Sequence, residues 1–338
     1  MIDNRWKLDR RRVARALLAM GTAGLLAGCA GCSPRAETDG AADGRLNVVT
    51  SLFPYYDFAR QIGGEEIDLS LVVPAGMDSH AFEPTPADMR MIQEADIIFC
   101  NGGEMENWLE QVLASLDTSD IQVVTMMDFV DAVEEEIVEG MEDSGHGHEH
   151  GDADDDHDHD HEHELDEHIW TSPRNAQVFA RVIGDALAGA DPGHAALYGE
   201  RTEAYIGQLS ALDREFEELT AGSRRHMMVV ADKFPFRYLA DDYGLEYRAA
   251  FSGCSSDSEP SAKTIAYLID LVREQEIPAV YYLELKTPRV AEIIGEETGA
   301  EPLLLHSCHN VTRREFESGV TYLQLMEQNV ENLRKGLN

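Results

Sequence analysis

Positive charge is what this 338-residue chain has least of. Its 27 Lys and Arg stand against 64 Asp and Glu, for a formal net charge of -37. So acidic a surface repels a phosphate backbone, which excludes nucleic acid as a partner, and the same field draws cations in. Long apolar runs are missing as well. The longest, Ala16 to Gly28, has 13 residues, too few to span a bilayer. Two catalytic signatures are also absent. There is neither a His-Glu-x-x-His helix motif nor a nucleophile elbow, so nothing marks the chain as a hydrolase and it is read as a binding protein, not an enzyme. What is present is enough for a core: 43% of residues are hydrophobic, at a length suited to one or two domains.

The short apolar run has a clear meaning. Arg5, Lys7, Arg10, Arg11, Arg12 and Arg15 precede it, and Leu26-Ala-Gly-Cys29 closes it. A basic region, a short apolar stretch and small residues form an export signal. The closing tetrapeptide resembles the bacterial lipobox, in which the Cys becomes the acylated N-terminus. Residues 1–28 are therefore expected to be a lipoprotein signal, with Cys29 lipidated. Residues 29–45, rich in Ala, Gly and Asp, are expected to be a flexible tether.

Beyond the tether, short apolar runs alternate with amphipathic stretches. Strands are expected at Leu46–Thr50, Ile67–Val73, Asp96–Asn101 and Ile121–Thr125. Helices are expected at Pro54–Ile62, from Thr85-Pro86, and over Glu104–Leu116. This alternation predicts a mainly parallel sheet with helices on its faces. The pattern returns with strands at Met227–Ala231, Ala279–Leu283 and Pro302–Leu305. Helices are expected there at Phe234–Tyr243, Ser261–Glu276, Pro288–Thr298 and Phe316–Leu337. Between the halves, Ser172-Pro173 starts a helix and Asp191-Pro-Gly193 breaks it. His194 to Thr220 then reads as one long amphipathic helix. The expected architecture is α/β: an N-terminal lobe over 46–190, a linking helix over 191–222 and a C-terminal lobe over 223–338.

Glu134 to Glu167 carries 17 acidic residues and no Lys or Arg. His146, His148, His150, His157, His159, His161 and His163 lie within it. With so little to bury, residues 134–165 are expected to be a disordered loop. Alternating imidazoles suit Zn, Ni or Cu, so the loop is read as a mobile metal collector.

Two further histidines sit in ordered contexts. His80 lies in Asp78-Ser-His-Ala-Phe-Glu-Pro-Thr-Pro-Ala-Asp88, just after a strand, where α/β proteins place their ligands. His168 lies in Asp166-Glu-His-Ile-Trp-Thr-Ser-Pro173. These motifs, together with Ala95-Asp-Ile-Ile-Phe-Cys-Asn-Gly-Gly-Glu-Met-Glu-Asn-Trp-Leu109, Tyr238-Leu-Ala-Asp-Asp-Tyr-Gly-Leu245 and Glu259-Pro-Ser-Ala-Lys263, resemble the zinc-uptake ABC transporter substrate-binding proteins. That ZnuA-like group also includes manganese binders, and the likeness runs from about Leu46 to Leu337.

The resemblance implies a lipid-anchored, monomeric protein of the cell envelope, on the outer face of the cytoplasmic membrane or periplasmic. It would bind Zn²⁺, with Mn²⁺ as the alternative, in the cleft between two lobes joined by a rigid helix. Its partners would be an ABC permease and its ATPase. It also implies that His80 and His168 are the first two ligands. The chain departs from the family at the third, because Val230-Ala-Asp-Lys-Phe-Pro-Phe236 has no His where one is usual. His306, in Leu303-Leu-Leu-His-Ser-Cys-His-Asn310, is expected to replace it, with Asp232, Glu284 and His309 as candidates for a fourth position. Cys254 and Cys308 each follow a strand, and some zinc members carry a bridge in this lobe. A disulfide between them is expected, with Cys308 as a thiolate ligand the alternative. Cys100, inside an apolar strand, is expected to be buried core.

Overall fold

The computed structural model describes residues 44–141, 165–255 and 259–338. Four parallel strands form the first sheet: β1 (Leu46–Thr50), β2 (Ile67–Leu71), β3 (Ile97–Cys100) and β4 (Gln122–Thr125), in the order β2-β1-β3-β4. Leu46 lies opposite Ile67, and Val48 opposite Ile97. All four residues of central β3 are buried, which is why Ile97-Ile-Phe-Cys100 is unbroken apolar sequence. Cys100 sits in this core as expected, its thiol directed at the Val124 carbonyl at 3.6 Å.

The crossovers are α1 (Phe53–Gly63), α2 (Pro86–Gln93) and α3 (Asn107–Ser115). Proline in the first turn of α1 and α2 sets φ where no N–H is needed. Thr85 starts α2 with a capping box: its hydroxyl takes the Asp88 N–H, and the Asp88 carboxylate takes the Thr85 N–H at 2.8 Å. That cap, worth about 1 kcal/mol, fixes the end of the loop that carries His80.

Helix α4 (Pro173–Ala190) begins at Ser172, whose hydroxyl caps the Arg174 and Asn175 N–H groups. After the break at Asp191 comes α5 (Ala195–Gly222), 28 residues and so about 42 Å long. The second sheet then repeats the first: β5 (Met227–Phe234), β6 (Glu246–Ser252), β7 (Ala279–Tyr282) and β8 (Glu301–Leu304), all parallel, in the order β6-β5-β7-β8. Its helices are α6 (Arg237–Tyr243), α7 (Ala262–Glu274) and α8 (Arg289–Thr298).

Three expectations for this half need correction. β6 was given no bounds by the sequence because it opens Glu246-Tyr-Arg248, mixed polar and apolar as befits an edge strand. β5 runs on to Phe234, so the helix expected from Phe234 starts only at Arg237, beyond Pro235. The terminal helix expected over Phe316–Leu337 is two, α9 (Arg313–Glu317) and α10 (Tyr322–Leu337). Gly319 takes φ 74 between them, and Thr321 caps a new helix with Gln324.

Both lobes share one apolar core, which runs from Val48 to Leu337, and a smaller cluster lies beneath α7 and α8. The long helix α5 packs on α1, α4, α6 and α10. α10 itself crosses back from β5, β7 and β8 to α1. Buried Asp57 of α1 fastens this second crossing, accepting from the Tyr322 N–H at 2.7 Å and from Arg60 at 2.6 Å. The lobes are therefore joined by two helices with a common core, an arrangement that resists wide hinge opening. Among the described residues no helix is long and apolar enough to cross a membrane.

The expected signal, Cys29 and residues 29–43 of the tether lie outside the described residues, as do 142–164 with all seven collector histidines. The start of the acidic segment, expected to be disordered from Glu134, is instead built structure. Glu134 pairs with Leu165 across an antiparallel bridge. Glu135 accepts the Cys254 N–H at 2.7 Å, and Glu136 accepts the Tyr247 hydroxyl at 3.1 Å.

Candidate metal site

His80 and His309 follow the C-terminal ends of strands in the two sheets, and His168 lies in the long segment between β4 and α4. His80 sits in a single helical turn, Ser79–Ala81, in the loop between β2 and α2, with its backbone N–H held by the Asp78 side chain at 3.0 Å. His168 precedes the short turn Ile169–Thr171 that feeds α4. His309 comes from the loop after β8, in the opposite lobe. One ring nitrogen from each of the three lies within 4.8 Å of the others. The ring centroids are 6.1 Å apart for His80 and His168, 5.7 Å for His80 and His309, and 6.0 Å for His168 and His309. Tetrahedral ligands at zinc distances stand about 3.4 Å from one another.

The segment bearing His168 is positioned by its neighbours. Asp166 accepts the His168 backbone N–H at 2.8 Å and lies 3.1 Å from Nδ1. That contact directs the Nδ1 proton to the carboxylate and leaves Nε2 unprotonated, the form able to bind a metal. Glu167 faces the other way, accepting the N–H groups of Glu104 and Met105 in the short helical turn that leads into α3. Gly103, at φ 83, makes this possible, because a Cβ there would lie 2.2 Å from the Glu167 carboxylate. Trp170, fully buried, is wedged between the lobes. Its indole N–H donates to the Ser307 carbonyl at 2.8 Å, and its ring lies 5.3 Å from that of His309 and 5.4 Å from that of His168. Sequence reasoning quoted Asp166, Glu167 and Trp170 within motifs but gave them no role. The Gly102-Gly103 pair was the available sign of a close backbone approach.

His306, expected as the third ligand, stands apart from this group. Its Nδ1 accepts the Cys308 N–H at 3.0 Å, its backbone N–H donates to Asn329 at 2.7 Å, and its buried Nε2 meets no hydrogen-bonding atom among the described residues. The ring braces a tight turn in which Cys308 adopts φ 60, a costly value for a non-glycine residue. That turn sends residue 309 into the cleft, where its Nε2 contacts the Ser79 hydroxyl of the other lobe. Asp232 and Glu284 are also outside the group. Asp232 pairs with Lys286 at 2.9 Å, while Glu284 accepts both the N–H and the hydroxyl of Ser307.

Cys254 and Cys308 are separate thiols, so the expected bridge is not formed. β6 and β8, which lead to them, are opposite edges of the sheet with two strands between. Three strand spacings amount to about 14 Å, beyond disulfide reach. Cys308 is fully buried and its thiol reaches only the His306 carbonyl. Burial pushes its pKa well up, and its sulfur does not join the imidazole group.

Two of the rings are held in the neutral form that metal binding requires. Desolvation by the cleft walls, with the neighbouring His168, holds the His80 imidazole down at about 4 although the residue keeps a solvent-facing edge, and desolvation with His168 and His80 holds that of His309 down at about 3. Both rings are thus neutral at ordinary pH. In an unfolded chain they would take up protons near pH 6.5. As pH falls below that value the unfolded state gains protons that the native site refuses, so the metal-free protein loses stability down to the folded values. His309→Gln removes one such group. Urea unfolding of the metal-free proteins between about pH 7 and about pH 4.5 should show the wild type losing stability relative to this variant. A pH-independent difference would contradict the assignment.

Comparisons with known proteins point to one family. The family model described as zinc-uptake complex component A periplasmic, ZnuA, matches residues 48–336. The high-affinity zinc uptake system protein ZnuA of Bacillus subtilis is 31% identical over 313 residues, covering 93% of this chain and 94% of that protein. The zinc-binding lipoprotein AdcA of Streptococcus pneumoniae is 30% identical over 297 residues, which span 87% of this chain and 56% of AdcA. The crystal structure of the Zn(II)-bound ZnuA-like domain of that AdcA superposes with a TM-score of 0.70 at 27% identity, covering 87% of this chain and 99% of the domain. Motif order, paired parallel sheets and family match coincide over nearly all of the described residues, and the chain belongs to the ZnuA family.

Proposed function

We propose that this protein captures Zn²⁺ between its lobes with His80, His168 and His309 and hands it to the permease and ATPase of an ABC importer. It would do so from the outer side of the cytoplasmic membrane, tethered through a lipid on Cys29. The observation that carries this reading is the convergence of three imidazoles from two lobes to within 4.8 Å. Nitrogen donors favour zinc over manganese, which prefers oxygen. The relatives named for zinc uptake and zinc binding support the same cargo.

In this reading each residue has a defined task. Asp166 fixes the tautomer of His168, and Trp170 forms an apolar wall that keeps water from one side of the ligands. His80, the exposed member, is free to swing as the ion enters or leaves. Zinc would complete a bond between the lobes, so the loaded form differs from the empty one at the surface a permease meets.

Chelator-competition titration of the full chain tests the cargo: one tightly held zinc is expected, with weaker ions on the acidic histidine segment. Absence of a tight first equivalent would end the proposal. The support given to His168 leads to a further expected result. Asp166→Asn keeps the side chain's size but weakens the acceptor, and should lower zinc affinity about 10- to 100-fold with the fold intact by circular dichroism. Unchanged affinity would show that Asp166 does not position the ligand.

A further inference from the structure

We propose that the site takes its metal together with a small carboxylate-type oxyanion, held between the ion and the ammonium of Lys233. This rests on the zinc reading above and concerns what completes the coordination. Three observations lead to it.

The first is room. The cavity that His80, His168 and His309 line measures about 210 Å³. A water molecule takes up about 30 Å³ of liquid, so the cavity has space for several atoms beyond an ion already in contact with three rings.

The second is the donor set. Three neutral imidazoles leave both charges of Zn²⁺ uncompensated. Among the described residues, no carboxylate joins the group. Two of the nearby acids are engaged elsewhere, and the third, Asp78, lines the same cavity and acts electrostatically on His80, His309 and Lys233. Asp78 accepts the His80 N–H at 3.0 Å, Glu284 is taken by Ser307, and Asp232 is neutralised by Lys286 at 2.9 Å.

The third is Lys233. It lies where the register between β5 and β6 slips, between Val230 and Lys233, and such irregularities re-aim side chains next to sites. It lines the same cavity, half-buried, and acts electrostatically on both His80 and His309. Among the described residues its ammonium makes no hydrogen bond and no close ion pair, the Asp78 and Asp232 carboxylates acting on it only from farther off, and burial draws its pKa down. A bare dication beside an unpaired ammonium is unfavourable for both. An oxyanion with one oxygen on the metal and the other on Lys233 compensates both charges and fills the space.

Acetate is the probe. Zinc affinity of the full chain is measured by chelator competition as acetate replaces perchlorate at constant ionic strength. Affinity should rise with acetate, about tenfold when acetate stands at ten times its own dissociation constant. Lys233→Met should abolish the rise and Lys233→Arg should keep it. With Co²⁺ in place of zinc, acetate should shift the visible spectrum of the wild type but not of Lys233→Met. Zinc held equally with and without acetate, or an acetate dependence that survives in Lys233→Met, overturns this inference alone. So does a loss of zinc in Asp78→Asn coupled with acetate independence in the wild type, since Asp78 would then fill the position. A wild type that holds no zinc in either medium overturns the inference together with the function on which it rests.

Discussion

His309→Ala should lower zinc affinity by more than about 100-fold, whereas His306→Ala should leave it nearly unchanged. The lower bound comes from the 10- to 100-fold cost of losing even an indirect support of a metal ligand; removing one of three direct ligands exceeds it. His306 has a different job. Its ring accepts the Cys308 N–H, and Asn329 clamps its backbone through the N–H at 2.7 Å and the carbonyl at 2.8 Å. Truncating it leaves a buried donor without a partner, a loss of about 1–3 kcal/mol of stability. The two variants should therefore separate: one loses zinc and keeps its fold, the other keeps most of its zinc and melts earlier. Competition titration paired with thermal melting reads both. Equal loss of zinc in the two would show that the turn at Cys308, rather than the residue it presents, governs the site.

The largest effect on stability is expected at Trp170. It is among the largest fully buried side chains, and it joins the lobes through the Ser307 carbonyl and, by its own carbonyl, through the Tyr322 hydroxyl at 2.8 Å. Trp170→Ala should cost about 3–5 kcal/mol from lost burial and the cavity left behind. For a chain of this size that corresponds to a fall in Tm on the order of 10 °C. Affinity for zinc should fall too, because the ring that backs both His168 and His309 is gone. Trp170→Phe, which keeps most of the apolar volume, should recover most of the stability but not the bond to Ser307. Chemical unfolding of the three proteins without metal checks the order, and an alanine variant as stable as the wild type would show that the indole does not hold the lobes together.

Much of this molecule could be read from its residues. The alternation of apolar strands with capped helices specified two parallel sheets, and Ser172-Pro173 and Asp191-Pro192-Gly193 marked the ends of α4 within a residue or two. His80 and His168 stood out because each lies within a distinctive motif. The choice between His306 and His309 was not legible. The two are three residues apart in one loop, and which of them enters the cleft depends on a left-handed turn at Cys308. Neither Gly nor Asn stands there to announce it. The disulfide failed for a related reason: strand order decides whether two loop cysteines meet, and order β6-β5-β7-β8 is a property of tertiary assembly. The second connection between lobes, α10, was hidden because a helix's amphipathic face shows that it packs without showing on what. Lys233 stood in the stretch where a family histidine is missing, and only the slip in register shows that its side chain reaches the same cavity.

The most direct test is a crystal of the chain loaded with one equivalent of zinc, measured on both sides of the zinc absorption edge. A single anomalous peak is expected between the rings of His80, His168 and His309, about 2.0–2.1 Å from one nitrogen of each. A peak beside His306 or Cys308, or zinc on only one lobe, would contradict the account.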